Sequence, residues 1–308
     1  MSRFARYGWG VLAFNLLVIL WGAYVRASGS GAGCGAHWPL CNGEVIPRAP
    51  RIETLIELTH RLTSGVALLL VVGQLAWARL LLPKGDAARR MAHIAMVLML
   101  TEALVGAGLV LFEMVAQNDS IARAWWLAAH LLNTFALVGA LALVPWFASG
   151  NRAPRLRTIG SEGWLLVGAL AGTLLLGTTG AVTALGDTLF PSASLAEGMA
   201  QDFSSTAHVL LRLRVIHPTL AVLVVLVLLL AAGVSAKRRP SPTTTRLAIA
   251  LATIAITQLA LGLLNLWLLV PIATQLAHLL VADALWITLV LLAATALAAK
   301  RVEDASVT

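Results

Sequence analysis

Eight apolar stretches, at roughly 9–27, 57–82, 91–115, 123–148, 162–184, 212–236, 247–270 and 274–299, fill most of this 308-residue chain. Each is long enough to cross a hydrocarbon layer as a helix, which takes about 17–25 residues. Charged residues make up only 12% of the sequence, against about 25% in a soluble domain, and mean hydropathy is +0.86. Such a chain cannot cover itself with polar surface, so lipid is its expected solvent. Lipid offers the backbone no hydrogen bonds, and eight spanning helices are therefore the expected structure. The first stretch reads as a retained helix. It is longer than the ~7–15-residue core of a signal peptide, and Arg26 stands where a small-residue cleavage site would begin.

A net charge of +8 raises the question of a nucleic-acid partner, but its distribution answers against one. Arg3 and Arg6 precede the first span, and Lys84, Arg89 and Arg90 follow the second. Arg152, Arg155 and Arg157 follow the fourth, Lys237, Arg238, Arg239 and Arg246 the sixth, and Lys300 and Arg301 the eighth. That puts 14 of the 22 basic residues on one side. The positive-inside rule makes that side cytoplasmic, with both termini there. Trp125 and Trp126 then suit the outer interface, and Trp9, Trp77, Trp146 and Trp164 the inner one.

His60, His130, His217 and His278 lie one or two turns into the second, fourth, sixth and eighth spans. All four spans enter from the outer side, so two histidine pairs come near one face. Paired imidazoles on facing helices are a way to hold a haem iron from both sides. One membrane histidine is as readily a core residue bonded to a carbonyl, but four at matched depth are poorly explained that way. Zinc or copper competes for imidazole, yet the spans carry no clustered Cys or carboxylate ligands. His93 falls at the inner end of span three, and His37 and His208 fall in outer loops. These three read as structural or solvated, with a loop role at the site left open for the last two.

The chain reads as a four-span unit used twice. Ala-His-Leu-Leu at 129–132 recurs at 277–280. Thr101-Glu102 followed by Gly106 recurs as Thr257-Gln258 followed by Gly262, and Gly22-Ala23 as Gly180-Ala181. The histidine spacing is 70 residues in one half and 61 in the other. The expected fold is all-α: a polytopic membrane protein of two tandem four-helix bundles with pseudo-two-fold symmetry. Residues 1–150 form the N-terminal half and 151–308 the C-terminal half, each with its own histidine pair.

Two outer loops are long, 28–56 and 185–211, and elaboration beside the histidines is where function is expected. The first carries the only cysteines, Cys34 and Cys41. An oxidising exterior allows a disulfide between them. So short a loop gains less from closure than a long one, and redox exchange with a partner is the alternative to a structural bond. Glu57 precedes His60 by three residues and shares its helix face, which suggests proton handling. Arg214 holds the same offset from His217, suggesting charge neutralisation. Arg26, Arg61, Arg123, Arg212 and Arg214 gather at outer span ends. Snorkelling explains such arginines, while haem propionate binding is the sharper reading for Arg61, Arg212 and Arg214. Glu102 and Asp283 fall inside spans, where charge costs several kcal/mol or is neutralised.

These segments together resemble haem A synthase of the eight-span bacterial type. The resemblance is carried by Gly22-Ala23-Tyr24-Val25-Arg26-Ala27-Ser28-Gly29-Ser30-Gly31, by Cys34 with Trp38-Pro39-Leu40-Cys41-Asn42-Gly43, by Glu57-Leu58-Thr59-His60-Arg61, and by Ala129-His130-Leu131-Leu132-Asn133. Its second half is carried by Gly186-Asp187-Thr188-Leu189-Phe190-Pro191, Leu211-Arg212-Leu213-Arg214-Val215-Ile216-His217-Pro218 and Ala277-His278. Many members read Cys-Pro-Asp-Trp-Pro where this chain has Gly35-Ala36-His37 between Cys34 and Trp38, and the cysteine pair that some members carry in the second half is missing. The resemblance implies oxidation of the C8 methyl of haem O to the formyl of haem A, through successive hydroxylations, for cytochrome oxidase. It implies that His60 and His130 flank the substrate iron with Glu57 essential, and that His217 and His278 hold a haem b. The implied location is the bacterial inner membrane. The implied partners are haem O synthase (protohaem farnesyltransferase) and cytochrome oxidase assembly factors, and homo-oligomers are compatible with it.

A physical constraint follows. An iron with two imidazole ligands has no open position, so oxidation at that iron requires His60 or His130 to leave. The alternative function is a di-haem b electron carrier exchanging electrons with quinone, which needs the histidines but neither Glu57 nor the cysteines. A non-catalytic transporter or haem scaffold is a third class, compatible with the repeats and Glu102.

Overall fold

A computed structural model describes residues 1–154 and 160–298. Of the basic residues that set the expected topology, Arg155, Arg157, Lys300 and Arg301 lie outside the described residues. The architecture is all-α. Its helices are α1 Arg3–Ala27, α2 Ile52–Leu81, α3 Ala87–Leu111, α4 Ile121–Ala148, α5 Ser161–Leu189, α6 Leu195–Asp202, α7 Val209–Arg214, α8 Ile216–Arg238, α9 Pro242–Trp267 and α10 Ile272–Ala296. Among the described residues eight spans are long and apolar enough to cross a membrane, with α7 and α8 together making the sixth. The chain is a multi-pass membrane protein.

Local chemistry starts the helices. Ser2, Asp86, Ser120 and Ser241 precede α1, α3, α4 and α9 and accept amide hydrogens of the first turn, which would otherwise lack partners. Pro242 at the head of α9 gives up no bond, because the first amide of a helix has no acceptor.

The apolar runs underestimate the helices at the histidine end. α2 begins at Ile52 rather than near 57, and α5 runs on to Leu189 rather than ending near 184. These added turns carry Glu53, Asp187 and Thr188, polar residues that leave a hydropathy window but stay helical. The 185–211 connection holds its own short helix, α6, with Ser194 capping it through the Glu197 amide. The sixth span is broken at Val215, between Arg214 and Ile216. Pro218 lies at the start of α8, where its missing amide hydrogen is tolerated.

α1 packs on α2 and α4, and α3 packs on the same two. α5 packs on α8 and α10, and α9 packs on those two. α2 therefore faces α4 across the first set, and α8 faces α10 across the second. α4 joins the sets by packing on α5 and α10, and α1 packs on α10 as well. At that junction Trp286 stacks on Phe135, ring centroids 5.5 Å apart, and donates its indole hydrogen to the Phe135 carbonyl.

Candidate functional site

Each of these four facing helices carries one histidine. His60 on α2 lies within direct electrostatic reach of His130 on α4, and His278 on α10 within reach of His217 on α8. Four glycines line the rings, one per histidine. A Cβ on Gly22 would stand 2.8 Å from His60 Cε1, and one on Gly180 2.9 Å from His217 Cε1. On the other side of each pair, a Cβ on Gly262 would stand 3.3 Å from His278 Cε1, and one on Gly106 3.8 Å from His130 Cε1. The recurring glycines of the sequence are thus the positions against which the imidazoles pack.

The polar surroundings of the four rings differ. Thr179 Oγ1 is 3.1 Å from His217 Nδ1, and Gln258 Nε2 is 3.2 Å from His278 Nε2. Glu102 Oε1 lies 3.5 Å from His130 Nδ1, an ion-pair contact rather than a formed hydrogen bond. Glu102 is itself held by Asn133 Nδ2 at Oε2 and by the Thr134 hydroxyl at Oε1. Asn133 also donates to the Leu98 carbonyl and accepts from Thr101. Glu102 is thus a residue of the site, a role sequence reasoning left open. The signal for it was the paired Thr101-Glu102 and Thr257-Gln258.

Glu57 is buried at 3% exposure and does not present an open carboxylate beside His60. Arg61 Nε and Nη2 both donate to its Oε1, and the Cys34 amide donates to Oε2 at 2.8 Å. Arg61 Nη1 reaches the carbonyls of His37 and Leu40 at 2.6 and 2.7 Å. The cysteine loop is therefore tied to α2 one turn above His60, and the Cys34–Cys41 disulfide closes it. Gly33 packs so tightly on α2 that a Cβ would lie 2.7 Å from the Thr54 amide nitrogen.

In the second half, Arg214 pairs with Asp187 at 3.0 Å and Asp202 at 2.9 Å, joining α5, α6 and α7. Arg61 and Arg214 thus commit most of their donors inside the protein, whereas Arg212 donates through Nη2 to the Ser205 carbonyl at an exposed position. Arg26 crosses between the sets, donating to the Ala184 carbonyl and Thr188 Oγ1 on α5 and to Gln275 Oε1 on α10, each at 2.8 Å. Arg123 binds the carbonyls of Ala116 and Asn118 ahead of α4.

The remaining histidines have structural partners. His208 caps α7 through the Leu210 amide and packs on Phe190. His93 accepts from Arg79 at the far end of the helices, and the His37 carbonyl serves Arg61. Asp283 is fully buried five residues beyond His278, and neither oxygen has a hydrogen-bond partner. Among the described residues, no three His, Cys, Asp or Glu side chains gather as the ligand set of a bare ion.

Residues 5–290 match the family model COX15-CtaA, described as cytochrome oxidase assembly protein. A protein of Thermus thermophilus named protoheme IX farnesyltransferase is 53% identical over 304 residues, 98% of this chain and 50% of that one. The chain spans about half the length of this relative and of its counterpart in a second strain of the same species. The heme A synthase of Halalkalibacterium halodurans is 37% identical over 154 residues, 49% of each chain, and that of Alkalihalophilus pseudofirmus 45% over 97 residues, 32% of this chain and 33% of that one.

Proposed function

The chain belongs to the COX15-CtaA family of cytochrome oxidase assembly proteins, and from that footing we propose that it is a haem A synthase, an oxidoreductase converting the C8 methyl of haem O to a formyl group. One observation carries the reading. The two histidine pairs share the same glycine packing, yet only the first stands beside a buried acid, Glu57, tied to a disulfide-closed loop. A di-haem electron carrier needs the four histidines but has no use for Glu57 or the cysteine loop.

In this reading the halves, 1–150 and 151–308, are four-helix bundles related by a pseudo-two-fold axis, and the histidine end faces the outside. The substrate haem O lies between His60 and His130, and a haem b lies between His217 and His278. Two features fit such flat groups. The glycines put no side chain against the Cε1 edge of each imidazole, and the two histidines of each pair stand on facing helices. When bound, the haem b supplies one-electron transfer.

The chain's own residues do the rest. His60 and His130 orient the substrate through its iron. Glu57, held by Arg61 and the Cys34 amide, is the acid-base group poised one turn away, and the cysteine loop covers it from water. Arg212 is the cation best able to meet a propionate, while Arg61 and Arg214 shape the loops that cover the two sites. The Thermus relatives are twice as long and carry the farnesyltransferase name. That name places haem O production beside the present family in those relatives. The haem O that this chain consumes would come from haem O synthase activity.

The test is to express the full chain with a source of haem O and to identify the extracted haems chromatographically. Haem A or its hydroxylated precursor is expected. A folded, haem-loaded protein that yields neither overturns the assignment.

A further inference from the structure

Three of the four histidines have a polar side chain against a ring nitrogen, and His60 does not. Thr179 serves His217, Gln258 serves His278 and Glu102 serves His130. The repeat that aligns Gly180 with Gly22 aligns Thr179 with Trp21, and Trp21 donates instead to the Ile56 carbonyl. Nδ1 of His60, like that of His130 and His278, is buried without a formed hydrogen bond, but of these His130 has a carboxylate within ion-pair distance. Among the described residues no carboxylate comes within ion-pair distance of His60, since Glu57 is taken by Arg61 and Cys34.

We infer that His130 is the ligand retained through turnover and His60 the one that leaves, with Glu102 as the positioning residue that makes the difference. The inference rests on the haem O reading of the first pair. An acceptor at the far nitrogen of a ligating imidazole fixes its tautomer and orientation and makes it a stronger donor. A carboxylate does this more strongly than an amide. Glu102 is rigid enough for the task, because Asn133 and Thr134 from α4 clamp both its oxygens. The matching Gln258 instead sets its amide nitrogen against His278 Nε2, so His130 is, among the described residues, the one histidine of the four with a carboxylate at Nδ1. His60 is steered only by its packing on Gly22, which holds the ring without strengthening its bond.

The test uses the full-length protein loaded with haem O and reads vibrational spectra. In His60→Ala the ferrous first-half iron should be five-coordinate, with an iron–histidine stretch that falls in frequency when Glu102→Gln is added. The carbon monoxide adduct of the wild-type protein should match that of His60→Ala and not that of His130→Ala. Should either ligand variant fail to fold, Glu102→Gln alone should shift the wild-type adduct, whereas the second-half haem should stay unchanged. A stretch and an adduct indifferent to Glu102→Gln, or a wild-type adduct matching His130→Ala, overturns the inference while haem A production still stands. Wild-type protein with no haem in its first half removes the underlying reading, and this inference with it.

Discussion

Gly22 on α1 faces the imidazole of His60 on α2 so closely that a single added carbon would stand 2.8 Å from Cε1 and 3.1 Å from Nε2. Contacts under 3 Å force movement, and a ring held from behind by its own helix can only turn away. Gly22→Ala should therefore cut first-site haem occupancy severalfold, read as loss of the low-spin signal in absorbance or electron resonance. Gly180→Ala should do the same to the second site through His217. Gly10→Ala is the control: nothing lies within 4 Å, and removing a helix-interior glycine should leave stability unchanged or raise it by ~0.5–1 kcal/mol.

Glu57 and Arg61 form an ion pair with side-chain exposures of 4% and 12%. Glu57→Gln keeps the shape and can keep the Arg61 hydrogen bonds at its oxygen, while its amide nitrogen cannot accept from the Cys34 amide. The protein should fold and bind both haems yet make no haem A, and haem extraction checks it. Arg61→Ala should instead destabilise the fold, because breaking a buried pair leaves an uncompensated charge at a cost of about 3–5 kcal/mol. Thermal unfolding in detergent separates the two outcomes.

Cys34 and Cys41 are seven residues apart. Closing so short a loop restricts the unfolded chain by only ~2–3 kcal/mol. Yet the Cys34 amide holds a Glu57 oxygen, so the loop matters to the site beyond its stability. The double serine variant should lose a modest part of its unfolding temperature and a much larger part of its haem A yield. An equal proportional loss of both would assign the disulfide a purely structural role.

Arg26 is the strap between the two helix sets, with three hydrogen bonds to α5 and α10. Hydrogen bonds to a charged group are worth ~1.5–3 kcal/mol each. Arg26→Gln should lower the unfolding temperature markedly, and Arg26→Lys, which cannot fork to two helices, should recover little of it. Retention of full stability by either variant contradicts the strap.

Much of this molecule is written in local pattern. The eight spans, the depth of the four histidines and the paired glycines of 22 and 180 are properties of single helices, set by apolar length and period. The disulfide partners were equally legible, there being only two cysteines. Helix ends were less so: α2 and α5 continue through Glu53 and Asp187, because a helix tolerates polar residues that a hydropathy window does not. The break at Val215 and the short α6 follow from loop packing around Arg214, Asp187 and Asp202.

Partner choice could not be read from the chain. Spacing put Glu57 on the face of His60 and within one turn of Arg61, but only the folded loop brings the Cys34 amide to it. Glu102 stands 28 positions from His130 in the sequence, and only the packing of α3 on α4 sets its carboxylate beside that ring. Sequence alone determined that this is an eight-span helical membrane protein with two matched histidine pairs, because lipid leaves an apolar chain no other backbone solution. The tertiary structure decided which acid serves which base. Hydrogen bonds and ion pairs act over a few ångströms, and lateral helix packing, not distance along the chain, determines which groups come that close.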